Sequence, residues 1–104
     1  MTKSVPAYVV GQIDIKNSSA YQAYLDGFTP SFERHGGELL ASSRQKTTPL
    51  EGDWTHPRTV LMRFPTNQAA RDWYNDPEYV ELRKIRQANA LTNLVIVEGW
   101  VEDA

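Results

Sequence analysis

Hydrophobic periodicity along this chain switches between about two residues and about 3.6 residues in a fixed order, and that order leaves few folds open. Ala7 to Ile15 (AYVVGQIDI) alternates as a strand does, with Val9, Gly11, Ile13 and Ile15 on one side and Tyr8, Val10, Gln12 and Asp14 on the other. Asn17, Ser18 and Ser19 then offer side-chain oxygens for a helix start. Tyr21, Leu25, Phe28 and Phe32 follow at helical spacing, which predicts a helix over roughly Ser19 to His35. Pro30 lies inside it without the N–H that the Asp26 carbonyl needs, so a bend or interruption is expected there. Gly36 and Gly37 can take the left-handed backbone that ends a helix.

Glu38 to Lys46 reads as a second strand with weaker patterning, and Thr47 to Pro57 (TTPLEGDWTHP) as a loop. Arg58 to Phe64 is a third strand, with Val60, Met62 and Phe64 on one face and Thr59, Leu61 and Arg63 on the other. Pro65 and Thr66 stop it and open a helix whose inner positions are Ala69, Ala70, Trp73 and Tyr74. Asp76 then Pro77 is a cap followed by proline at the first helical position, opening a stretch with Tyr79, Leu82, Arg83 and Arg86. Thr92 to Val101 is the last strand; Val95, Val97 and Gly99 share one side, and Leu94, Ile96, Glu98 and Trp100 the other.

The order βαββαβ, with right-handed crossovers, gives an α+β fold: a four-stranded antiparallel sheet with the helices on one face. One domain accounts for residues 1–104, with a core over about residues 7–101. The smooth aliphatic sides (Val9, Ile13, Val60, Met62, Val95, Val97) suit packing beneath the helices. The opposite sides (Tyr8, Val10, Leu61, Leu94, Ile96, Trp100) are not polar, as a solvated face would be. A patch of that size exceeds what a monomer usually exposes, and a second copy of the same sheet covers it most simply. A homodimer through the sheet faces is therefore expected.

Composition removes several partners. The formal net charge is -2 with no basic stripe, so neither nucleic acid nor an anionic membrane is expected. There is no cysteine, which excludes disulfides, thiolate metal sites and a cysteine nucleophile. No apolar run resembles a signal peptide or a membrane span, and a cytoplasmic location is expected.

Two constellations could carry chemistry. Gln12, Asp14, Arg63 and Glu98 are polar groups on otherwise apolar strand faces; in a partly dry interior they could bind a small polar molecule or do acid–base work. Read structurally, Arg63 pairs with Asp14 and Glu98 bonds at a dimer seam. The loop Glu51-Gly52-Asp53-Trp54-Thr55-His56 could press Trp54 onto a ligand with Glu51 beside it, or bury Trp54 against a partner. His35, at a helix end, reads first as a C-terminal cap and only then as a catalytic residue. Two histidines without ligand spacing point to no metal site, and no cofactor is expected. Arg83, Lys84 and Arg86 read first as a solvated basic face with Glu81 as a local partner and only then as an anion-binding cluster, and the aromatic residues of the helices as core.

Several of these residues recur together in one family. Tyr8, Tyr21 and Tyr24, Gly36-Gly37, Glu51-Gly52-Asp53-Trp54, Phe64-Pro65, Ala70, Trp73-Tyr74, Pro77-Glu78-Tyr79, Arg83, Arg86 and Glu98-Gly99 form an ordered set over nearly the whole chain. In that set the chain resembles the domain of unknown function DUF1330, within the dimeric α/β-barrel superfamily; at Arg63 the family pattern often has an acidic residue instead. The resemblance implies ferredoxin-like subunits that pack their sheets into a barrel. Relatives of that architecture include cofactor-free monooxygenases, haem-degrading enzymes, isomerases and polyketide cyclases. The expected function is binding of a small organic molecule in the barrel interior, by Tyr8, Gln12, Trp54, Arg63 and Glu51 with Asp14, Glu98 or His35 as catalytic candidates, in a cofactor-free isomerase, cyclase or monooxygenase. The alternative is a non-catalytic structural or regulatory dimer. A cavity of ~300 Å³ or more with convergent polar groups favours the first, and a filled interior the second.

Overall fold

The computed structural model describes residues 5–100. Its elements are β1 (Ala7–Ile15), α1 (Ser18–Arg34), β2 (Glu38–Ala41), β3 (Arg58–Phe64), α2 (Asn67–Tyr74), α3 (Pro77–Asn89) and β4 (Ala90–Glu98). The strands form one antiparallel sheet in the order β2-β3-β1-β4, which is the ferredoxin-like arrangement expected from the βαββαβ order. Asn17, Thr66 and Asp76 cap the three helices through their side-chain oxygens. At the end of α1, Gly36 has φ +79°, its N–H bonds to the Glu33 carbonyl, and the Gly37 N–H reaches the Phe32 carbonyl. A Cβ on Gly37 would run into the Phe32 ring, so the bare backbone lets that ring close the core.

Three expectations change. The helix α1 runs through Pro30 without a break; Pro30 and Asp26 are both exposed, so water can serve the carbonyl left without a partner. The second strand stops at Ala41 rather than Lys46. Ser42 turns the chain there: its N–H donates to the Gln45 Oε1 at 2.8 Å and its carbonyl accepts from the Gln45 N–H, local bonds that compete with a ladder. The last strand is Ala90–Glu98, and its faces are the reverse of those expected. Pairing with β1 places Ile96 opposite Val9, Leu94 opposite Gly11 and Thr92 opposite Ile13, all on the helix side. Val95 and Val97 are on the open face, 54% and 50% exposed. Val101 lies outside the described residues.

The core between sheet and helices joins Val9, Ile13, Met62 and Phe64 to Tyr21, Tyr24, Phe32, Ala70, Trp73 and Tyr79. On the open face, Ala41, Leu61, Val10 and Val95 are successive cross-strand neighbours, an apolar row across all four strands. Polar rows flank it: Thr59, Gln12 and Asn93 on one side, and Glu38 and Arg63 beside Tyr8 and Val97 on the other. No helix among the described residues is long and apolar enough to cross a membrane.

Candidate functional site

A small, partly open cavity lies on the helix side of the sheet. It has a volume of about 90 Å³ and sits between α1, α3 and strands β1, β3 and β4, with Ser42 and Ser43 at the end of β2 among its walls. Most of the wall is apolar: Ile13, Leu25, Phe28, Val60, Met62 and Leu94. Helix α3 brings in two polar side chains, Tyr79 and Arg86, which are on one face because seven residues make nearly two helical turns. From α1 comes Tyr24, whose hydroxyl lies 2.6 Å from that of Tyr79 in a buried hydrogen bond. Burial first, then the neighbouring Tyr79, holds the Tyr24 hydroxyl well above its usual pKa, with Arg86 opposing. Burial likewise raises Tyr79 and Tyr21, again against Arg86. All three are neutral phenols at physiological pH.

Arg86 is the anomaly. It is only 5% exposed, its guanidinium carbon is 5.9 Å from the Tyr24 ring centre, and among the described residues no carboxylate pairs with it. A buried charge of this kind is costly unless something answers it. The reading of Arg86 as part of a solvated basic face is corrected here. Lys84 does pair with Glu81 at 2.9 Å in solvent, but Arg83 stacks on the Tyr74 ring at 4.1 Å and Arg86 points inward. Arg86 has the Tyr79 side chain as a hydrogen-bonding neighbour, whereas two other groups on residues lining the cavity, Trp73 Nε1 and Thr92 Oγ1, are buried without a hydrogen-bond partner. Sequence reasoning took Tyr24, Trp73 and Tyr79 as core and Arg86 first as surface, with anion binding only as its second reading, and gave Thr92 no role. The legible signal was Arg86 itself, a charge on the stripe of Tyr79 and Leu82, which the cavity does show to be inward-facing.

The residues singled out from sequence are distributed differently. Gln12 accepts a long 3.4 Å bond from Asn93, Asp14 pairs with Lys16 at 2.8 Å, and Arg63 lies 3.7 Å from Glu38, all on the open face. Arg63 therefore does not pair with Asp14. Tyr8 is half-buried on the same face between Arg63 and Val97. Trp54 donates to Thr59 Oγ1 at 3.0 Å, and with Glu51, Leu61 and Ala41 it borders a broad groove of about 490 Å³ on that face. Glu98 leaves the constellation: it pairs with Ala7 on the helix side and accepts from Asn67 at 3.4 Å. His35 ties the end of α1 to the start of α3, with Nε2 2.7 Å from Asp76 Oδ2, while Arg34 bonds the same oxygen at 2.9 Å. Those bonds, Arg34's first, hold the Asp76 carboxyl well below the usual carboxylate range. Among the described residues no three His, Cys, Asp or Glu side chains gather as a metal set would.

This geometry is that of a ferredoxin-like α+β domain with a helix-side cavity, and solved structures share the fold. The RPA0582 protein of unknown function from Rhodopseudomonas palustris matches with a TM-score of 0.76 and 22% identity, covering 96% of this chain and 85% of that one. SnoaB, a cofactor-independent oxygenase from Streptomyces nogalater, matches with a TM-score of 0.63 and 9% identity over 94% of this chain and 96% of its own. A hypothetical protein from Arabidopsis thaliana matches at 0.65 and 12% identity, covering 97% and 95%. No curated protein matches the chain. The family model for the domain of unknown function DUF1330 matches residues 6–100, and the chain belongs to that family.

Proposed function

We propose that the chain binds a small organic acid in the helix-side cavity and acts on it as a cofactor-free enzyme, working as a homodimer joined through the open sheet faces. The observation that carries the reading is Arg86: a buried guanidinium without a carboxylate partner, lining an apolar cavity beside two neutral phenols. A carboxylate or stabilised enolate would supply the missing charge and accept bonds in a dry setting, where charge-assisted bonds are strong. No carboxylate or imidazole lines the cavity, so the anion belongs to the ligand and is not made by a base of the wall. Isomerisation, cyclisation or oxygenation of an activated acid or ketone that enters already as its anion, having left its proton to solvent, fits that division of labour, and SnoaB is a cofactor-independent oxygenase of similar fold. The dimer is supported by the open face, where an apolar row bordered by polar rows resembles the core and rim of an interface.

A thermal-shift panel of acetate, butyrate, hexanoate, octanoate, benzoate and acetoacetate, run on the wild type and Arg86→Met, tests this. An acid present at about a hundred times its Kd stabilises the folded state by about 2.7 kcal/mol. The wild type should respond to at least one acid. Arg86→Met should lose that response while melting no lower without ligand, since it removes a buried charge that no carboxylate answers. An unresponsive wild type, or a variant that responds equally, overturns the reading.

The second reading, a non-catalytic dimer, has its own support. The polar groups of the open face are partnered within the chain, and about 90 Å³ is well below the ~300 Å³ of common ligand sites. It predicts a stable dimer with no response to any acid.

A further inference from the structure

We infer that Leu94 sets the length of acid that the Arg86 cavity accepts, because it is the one residue that lines that cavity and both of the two larger clefts along the edge strand β4. The inference rests on the reading of the cavity as an acid site. Beside the 90 Å³ cavity, a cleft of about 280 Å³ is lined by Val9, Ala70, Trp73, Tyr74 and Ile96, and a second of about 390 Å³ by Gln87, Ala90 and Leu91. Leu94 lines all three spaces. Trp73 is shared by the cavity and the first cleft, while Arg86 and Thr92 are shared by the cavity and the second. Arg86 therefore lines both the smaller space and a larger, more open one.

The backbone explains how Leu94 came to be the shared wall. Its cross-strand neighbour on the helix side is Gly11, where a Cβ would lie 3.0 Å from Leu94 Cδ1 and 2.8 Å from Val60 Cγ1. The missing side chain on the central strand lets Leu94 and Val60 lean over bare backbone and form adjoining parts of the cavity wall. With Leu94 in place, an acid held by Arg86 inside the cavity has room for less than a benzene ring, which needs a cavity of about 150 Å³. Shortening Leu94 removes wall that the cavity has in common with both clefts and gives a longer apolar tail room there.

Isothermal titration of wild type and Leu94→Ala with acetate, butyrate, hexanoate and octanoate tests this. The wild type should bind the short acids best and lose affinity by hexanoate. Leu94→Ala should move the optimum to longer acids, its affinity rising roughly fourfold per added methylene beyond butyrate, the transfer free energy of one CH₂. Leu94→Val removes less of that wall and should shift the optimum in the same direction; it carries the test if the alanine variant does not fold. A wild type that binds a short acid, with folded variants sharing its length profile, overturns this role of Leu94 and leaves the acid site standing. A wild type that binds no acid overturns the acid site and this inference with it.

Discussion

Arg86 and the tyrosine pair are held by opposing demands: burial favours neutral groups, yet α3 sends a permanent cation into the core. Tyr24→Phe should cost about 1 kcal/mol in urea unfolding, because the Tyr79 hydroxyl loses its 2.6 Å partner. In a double-mutant cycle the Tyr24→Phe/Tyr79→Phe pair should cost less than the sum of the two single changes. Titration gives two further signs. Tyr24, Tyr79 and Tyr21 are raised in the folded state above an ordinary value of 10.0, so the unfolded chain loses these protons first; stability is complete below about pH 10 and falls as pH rises through the folded values. Asp76 is depressed, so its contribution is present above its ordinary value of 3.8 and is lost as pH falls through the folded one. Asp76→Asn should therefore melt below wild type at pH 7, with the gap closing in acid; a gap independent of pH would assign the effect to capping alone. Arg86 was legible in part, since its place on the Tyr79 and Leu82 stripe is visible in the sequence. Its lack of a carboxylate was not, because that depends on which strand faces the helices bring near it.

Elements were readable where one period dominates and ambiguous where both faces are apolar. In β1, Gln12 and Asp14 mark the open side, and β1 and β3 have the bounds and faces expected. In β4 the run Leu94-Val95-Ile96-Val97 offers apolar residues to both sides, so hydrophobicity cannot choose. Register against β1 chooses, and a slip of one residue exchanges the faces. That reversal moved Val95 and Val97 to the open face and Leu94 to the cavity wall. It also took Glu98 out of the proposed polar cluster. Pro30 gives a prediction at this scale. Since α1 continues through it on the exposed side, Pro30→Ala should restore a backbone bond to the Asp26 carbonyl without disturbing the core. The helix-interior cost of proline is about 3 kcal/mol, and the freer unfolded chain returns up to about 1 kcal/mol, leaving a gain of about 2 kcal/mol. Urea unfolding with an unchanged m-value checks it; a less stable variant would mean that a bend at Pro30 is needed for α1 to follow the sheet.

For the whole molecule, the two sides of one sheet separate assembly from binding. The cavity opens on the helix side, and none of Tyr8, Val10, Leu61, Val95 or Val97 lines it. The open face carries the apolar row through Leu61, Val10 and Val95, and a second copy would cover it by using one patch twice. Val95→Glu places a charge in that row at a residue already 54% exposed in the single chain, so the fold of one subunit loses little. If the sheets pair, the charge must be desolvated twice across the two-fold axis, and the dimer should give way. Light scattering at micromolar concentration should then report two chains for wild type and one for Val95→Glu, and the variant's melting temperature should no longer depend on protein concentration. The single-chain variant should still respond to the acid that stabilises wild type, since the Arg86 cavity is built from one subunit. A wild type that scatters as one chain would remove the dimer and leave the cavity intact. A monomeric variant that is folded but deaf to the acid would show instead that the partner shapes the cavity through the sheet.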